Sequence, residues 1–240
     1  MEEYKEYKGT KITFKKIINI KLKNVPEIFQ SATYIGYCNS NDLPHGEGKL
    51  FPFREDEDFD PENNLELSLI LFCAEGEWYE GNFLKGTYYI PTEEKMKGSF
   101  DFKDENWVLE GEGLRLYYGE YGNNEENYKN NNPVAQEKGI FTNNMLIKGE
   151  VLNPPGVPFS GNIDAKKIIY DGIKTREIFY HGFNANIQLI TGEVFYKDGS
   201  HYKGEMSDSS AVPFGKGTMK LPDGREWTTE WYDGQEKKDK

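Results

Sequence analysis

The sequence is poor in the residues that reactive chemistry uses most. In 240 residues there are two cysteines, Cys38 and Cys73, and three histidines, His45, His181 and His201. Two cysteines make neither a disulfide framework nor a zinc site. Lys plus Arg amount to 29 against 41 Asp plus Glu, a net charge of −12. That balance argues against a nucleic-acid surface and against docking to anionic lipid. No run approaches the ~18 apolar residues of a transmembrane helix. The longest apolar stretch, Leu65 to Ala74, is strand-sized and interrupted. Glu2, Glu3 and Glu6, with no Arg before residue 54, fit neither a signal nor a transit peptide. A reducing, cytoplasmic setting is therefore expected. Counting Gly and leaving out Tyr, roughly 40% of the chain is apolar, below the ~45–50% of ordinary domains.

Aromatic residues make up 15%, and there are 25 glycines. Disordered chains lack aromatics. The glycines are patterned. An aromatic or long residue, any residue, then Gly recurs at Tyr34-Ile-Gly36, Tyr79-Glu-Gly81, Met96-Lys-Gly98, Glu137-Lys-Gly139, Phe159-Ser-Gly161, Tyr180-His-Gly182 and Tyr202-Lys-Gly204. A second glycine follows each, as in His45-Gly-Glu-Gly48, Gly111-Glu-Gly113 and Gly215-Lys-Gly217. Asp198-Gly199 and Asp223-Gly224 sit between alternating stretches, a hairpin signal for a type I′ turn. Each unit reads as two short strands. Its glycines leave gaps into which a neighbouring unit's ring can fold, and stacked hairpins bury a continuous strip.

This pattern resembles the MORN repeat family, on Tyr34-Ile-Gly36 with Pro44-His-Gly-Glu-Gly48, and on Tyr196 to Gly204 with Phe214-Gly-Lys-Gly217 and Pro222-Asp-Gly224. Phe214 stands where the repeat has His, and the middle of the chain is degenerate. The resemblance implies an all-β, elongated, twisted single-layer array of stacked antiparallel hairpins with loop insertions. It spans 34–234, with Gly36, Gly46, Gly48, Gly81, Gly98, Gly113, Gly161, Gly182, Gly204 and Gly217 as repeat glycines. Insertions at 53–64 and 119–137 read as exposed polar loops. Residues 1–33 form a basic N-terminal segment, an eroded repeat or a cap, in which seven Lys against three Glu give +4 up to residue 25. Residues 235–240 are expected to be a mobile charged tail.

The residues leave little for catalysis. His45 is explained by the repeat, and no Gly-x-Ser-x-Gly elbow occurs. Phe214-Gly-Lys-Gly-Thr218 fails as a phosphate loop, because Ser210 stands where its first Gly belongs. The acidic run 55–62 lacks the central Gly of a calcium loop. No catalytic residue, metal site, cofactor or small-molecule substrate is expected. The resemblance implies a non-catalytic scaffold that binds protein partners in a larger assembly of the cilium, axoneme or cytoskeleton. Tyr34, Tyr79, Phe159, Tyr180 and Tyr202 are the candidate contact rings, and Lys15, Lys16 and Lys21 candidate basic contacts. Two alternatives stand beside it. One is an accessory subunit of an enzyme complex. The other is a membrane-apposing module using the N-terminal lysines, which the overall charge disfavours.

Overall fold

The computed structural model describes residues 4–7, 10–52, 72–91, 93–118, 127–128, 130–153, 165–180, 183–207 and 212–237, by backbone alone at 4–19, 174–180 and 183–188. The insertion 53–64, residues 119–126 and 129 of the insertion 119–137, and Phe159, Gly161 and Gly182 lie outside these residues, while 135–137, expected in the same exposed loop, begin a strand.

The chain divides into two compact lobes, Met1–Val134 with Phe141–Met145, and Ala135–Ile140 with Leu146–Lys240. The first holds β1 (Tyr4–Tyr7), β2 (Thr10–Lys21), β3 (Ser31–Cys38), β4 (Pro44–Pro52), β5 (Cys73–Tyr79), β6 (Asn82–Ile90), β7 (Glu94–Lys103) and β8 (Asn106–Tyr117). Then come β9 (Ala135–Thr142), β10 (Met145–Leu152), β11 (Ala165–Tyr180), β12 (Phe183–Tyr196), β13 (His201–Ser207), β14 (Pro213–Lys220), β15 (Glu226–Tyr232) and β16 (Gln235–Glu236). The start of the expected mobile tail is thus held to β15, Lys237 donating its backbone N–H to Glu230 at 2.8 Å. In each lobe the hydrogen-bonded order of strands is their order in the chain, and the sheet stays open. The fold is all-β, as expected. Among the described residues, helix is confined to a 3₁₀ turn at Glu27–Phe29 and a stub at 127–128.

The turns explain the short hairpins. Glu80-Gly81, Asp104-Glu105, Asn143-Asn144 and Asp233-Gly234 each have both φ angles positive, from 47° to 83°. That is the two-residue turn whose twist matches the strands. The expected type I′ turns at Asp198-Gly199 and Asp223-Gly224 are not of this type. Hairpins do form there, but only the glycine has positive φ. The aspartates instead accept backbone hydrogen bonds from Ser200 and Arg225, at 2.8 and 3.0 Å.

The glycines align across the strands. Gly36 pairs with Gly48, Gly48 with Gly76, Gly76 with Gly86, Gly86 with Gly98, and Gly98 with Gly113. The second lobe repeats the row through Gly149, Tyr170, Gly192, Gly204 and Gly217. Two residues along, a parallel row of Tyr34, Leu50, Ala74, Tyr88 and Met96 is buried throughout. Side chains two apart share a face, so the core of the first lobe lies on one side of its sheet. The 3₁₀ turn covers it by setting Phe29 against Tyr88 and Trp107.

Candidate functional site

One arrangement of rings and glycines occurs twice. In the first lobe, the ring of Tyr34 lies over Gly36 and Gly48. A Cβ on Gly48 would stand 2.0 Å from the Tyr34 hydroxyl oxygen. That hydroxyl donates to the Tyr37 carbonyl at 3.1 Å, where the register slips by a bulge. Trp78 crosses the ring edge-on, centroids 5.7 Å apart, and its indole N–H donates to the Gly48 carbonyl at 3.2 Å.

The second lobe reproduces each contact. Tyr202 lies over Gly204 and Gly217, with 2.1 Å between its hydroxyl oxygen and a Cβ on Gly217. It donates to the Glu205 carbonyl at 2.7 Å. Trp231 meets it edge-on at 5.6 Å and donates to the Gly217 carbonyl at 3.1 Å. His45 packs on Tyr79 where Phe214 packs on Tyr232. Gly81 and Gly234 donate backbone N–H groups to Pro44 and Pro213, at 2.9 and 3.0 Å.

These modules correct three sequence expectations. The ring that fills the glycine gap belongs to the same hairpin, not to a neighbouring repeat. Tyr34 and Tyr202 are wholly buried, so as folded neither offers a ring to a partner. Tyr79-Glu-Gly81 does not open a repeat. It is the turn that ends β5, and the aligned glycine of that strand is Gly76. The signal that sequence reasoning missed is Glu77-Trp-Tyr-Glu-Gly81, repeated as Glu230-Trp-Tyr-Asp-Gly234. Of the other expected contacts, Tyr79 is half-buried and Lys21 is exposed. Lys15, Lys16 and Tyr180 are described by backbone alone. Gly46 lies opposite Trp78, while Gly98 and Gly113 lie under Leu109.

A second cluster surrounds Lys95 on β7. Its ammonium lies 4.4 Å from the ring centre of Tyr128, 4.8 Å from Tyr118 and 5.9 Å from Tyr89. It donates to Asn131 Oδ1 at 3.1 Å, and the same oxygen accepts from the Tyr118 hydroxyl at 2.7 Å. Partial burial pulls the Lys95 pKa below the ordinary lysine value. The π faces and the amide oxygen oppose that pull by favouring the cation. The cluster ties the segment after β8 to the sheet. Lys95→Met is expected to destabilise the chain by about 1–2 kcal/mol, the range of a partly desolvated cation–π site. Urea denaturation checks this, and an unchanged midpoint would mean that the cage holds nothing.

The charged face of the second lobe carries a shallow groove of about 260 Å³ floored by Gly192 and Gly204. Its charges answer one another. Lys203 pairs with Glu193 at 2.9 Å, and Glu205 accepts from the Lys216 backbone at 3.0 Å. Glu193, whose pKa these hydrogen bonds from Lys203 and then His201 lower, also pairs with His201 at 2.9 Å. On the buried side of the first lobe, burial and then Glu75 push the Cys73 thiol up to about 12, which keeps it protonated and inert. Among the described residues, no three His, Cys, Asp or Glu side chains stand together as a metal site, and no helix is long and apolar enough to cross a membrane.

No protein-family model and no curated protein matches the chain.

Proposed function

We propose that the chain is a non-catalytic scaffold of MORN-like repeats that holds protein partners within a ciliary or cytoskeletal assembly. The supporting observation is the use to which the two modules put their conspicuous groups. Tyr34, Trp78, His45, Tyr202 and Trp231 are packed inside their lobes, each ring held by a hydrogen bond with a backbone group. Residues so fixed build a surface, and binding falls to edges and outward faces. The outward faces carry cross-strand charge pairs such as Lys49–Glu75 and Lys167–Glu150, at 3.0 and 2.7 Å.

The test uses the tagged full chain in a ciliated protist. The reading expects the chain to stay with the detergent-resistant axoneme or cytoskeleton and to be captured with stoichiometric structural proteins of that fraction. Complete release into the detergent-soluble fraction would overturn it.

A further inference from the structure

The β11–β12 hairpin outruns the strands beside it. β10 pairs with β11 only from Lys167 to Tyr170, and β13 pairs with β12 only from Leu189 to Phe195. Beyond those limits, 175–180 pairs with 183–188 and with nothing else among the described residues. A two-stranded ribbon is marginal in water. Among the described residues, nothing pairs with the outer N–H and C=O groups of either strand, which makes them sheet edges.

The two edges differ in sequence. That of β11 carries Lys174, Arg176 and Glu177, the kind of charged residues that guard natural edges. That of β12, Phe183-Asn-Ala-Asn-Ile-Gln188, has no charge, no proline and no glycine. Such a segment is a template for strand pairing.

We infer that this edge of β12 pairs antiparallel with the same edge of a second copy, about a two-fold axis through Ala185. The segment 183–187 has a mirrored polarity: apolar, amide, alanine, amide, apolar. Pairing about Ala185 sets Phe183 opposite Ile187 of the second copy, Asn184 opposite Asn186, and Ala185 opposite itself. Two-fold pairing makes each contact twice.

Neighbouring registers fail. An axis at Asn186 would enlist Leu189, which is already paired with Ser207. An axis between residues would set amides against apolar side chains. The mirrored pattern selects a second copy as the partner, and charge permits it. Two chains of −12 repel wherever their acidic surfaces meet, and this edge brings no charge of its own. A strand from another protein would not call for the mirrored pattern. The inference goes beyond the scaffold reading and does not depend on it.

The test is made on the full chain. Sedimentation equilibrium is expected to give twice the chain mass, falling towards one chain mass on dilution. Ala185→Cys is expected to form an intermolecular disulfide on mild oxidation. Opposed antiparallel residues have Cα atoms ~4.5–5.5 Å apart, inside the ~4.4–6.8 Å that a disulfide spans. Thr175→Cys, on the other edge, is not expected to cross-link. Cys38 and Cys73 are fully buried and do not compete. The double change Asn184→Lys with Asn186→Lys sets like charges opposite one another and is expected to give a monomer with unchanged circular dichroism. A single-chain mass at every concentration overturns the proposal. So does a dimer that fails to cross-link through Ala185→Cys, or one that cross-links equally through Thr175→Cys.

Discussion

Changing Gly217 to alanine is expected to cost about 3 kcal/mol of stability or more, the upper range for forcing atoms into a packed interior. The new Cβ would lie 2.1 Å from the Tyr202 hydroxyl oxygen and 2.3 Å from its Cζ. The ring has nowhere to retreat. Its hydroxyl is held by the Glu205 carbonyl, and Trp231 stands against its face. Backbone strain plays no part, because the φ of Gly217 is one that any residue adopts. The effect is therefore a clash between two named groups, and a double-mutant cycle isolates it. In a Tyr202→Ala background, adding Gly217→Ala is expected to cost almost nothing further. Denaturant midpoints of the four chains decide the matter. If the two costs simply add, the ring is not what requires glycine there. Gly48→Ala, facing Tyr34 at 2.0 Å, is expected to behave alike in the first lobe.

Replacing Trp78 with alanine is expected to cost about 3–5 kcal/mol, the usual range for emptying a buried tryptophan site. Trp78 touches Tyr34, Phe83 and Trp107, with centroids 4.9 to 5.9 Å apart, and its indole N–H is satisfied by Gly48. Loss of the side chain opens a cavity and frees the Gly48 carbonyl. Trp78→Phe keeps most of the volume and removes the donor. It is expected to cost less, with about 1 kcal/mol of that from the hydrogen bond. Thermal and urea unfolding of the three chains check the order. A Trp78→Phe chain as unstable as Trp78→Ala would assign the whole effect to the hydrogen bond and remove the packing account.

The hairpin architecture was legible in the sequence because glycine spacing reports something local. Each Gly-x-Gly marks a strand that passes under a large side chain of the same hairpin: Tyr34 over Gly36 and Gly48, Tyr202 over Gly204 and Gly217, and Leu109 in place of a ring over Gly98 and Gly113. The two segments with the fullest motifs are those in which the whole module recurs. Trp78 was not legible from the spacing. It lies 30 residues from the Gly48 carbonyl it serves, against 14 for Trp231 and Gly217. The extra residues between Gly48 and Trp78 hide the equivalence. The repeated Glu-Trp-Tyr-acid-Gly peptide carried it, but Tyr79-Glu-Gly81 imitates the opening of a repeat. The local peptide is the same in both readings, and only strand register separates a turn glycine from a row glycine. The Lys95 cage was less accessible still. Lys95 and Asn131 are 36 residues apart, and no periodicity links them. The contact rings proposed from sequence failed at Tyr34 and Tyr202 because a tyrosine spaced to cover glycine is thereby buried.

That each described strand bonds only to its neighbours in the chain bears on how the polypeptide becomes structured during synthesis. Within a lobe, no strand must wait for a distant one before it finds a place, and none is threaded between two already laid down. Most of the connections to be closed are short, the long ones being those after Pro52, Tyr117 and Leu152, so the entropy lost at most steps is small. A nascent chain can add one strand at a time to a growing edge as it leaves the ribosome. Outside the 175–188 ribbon, the edge exposed at each moment is covered by the strand translated next.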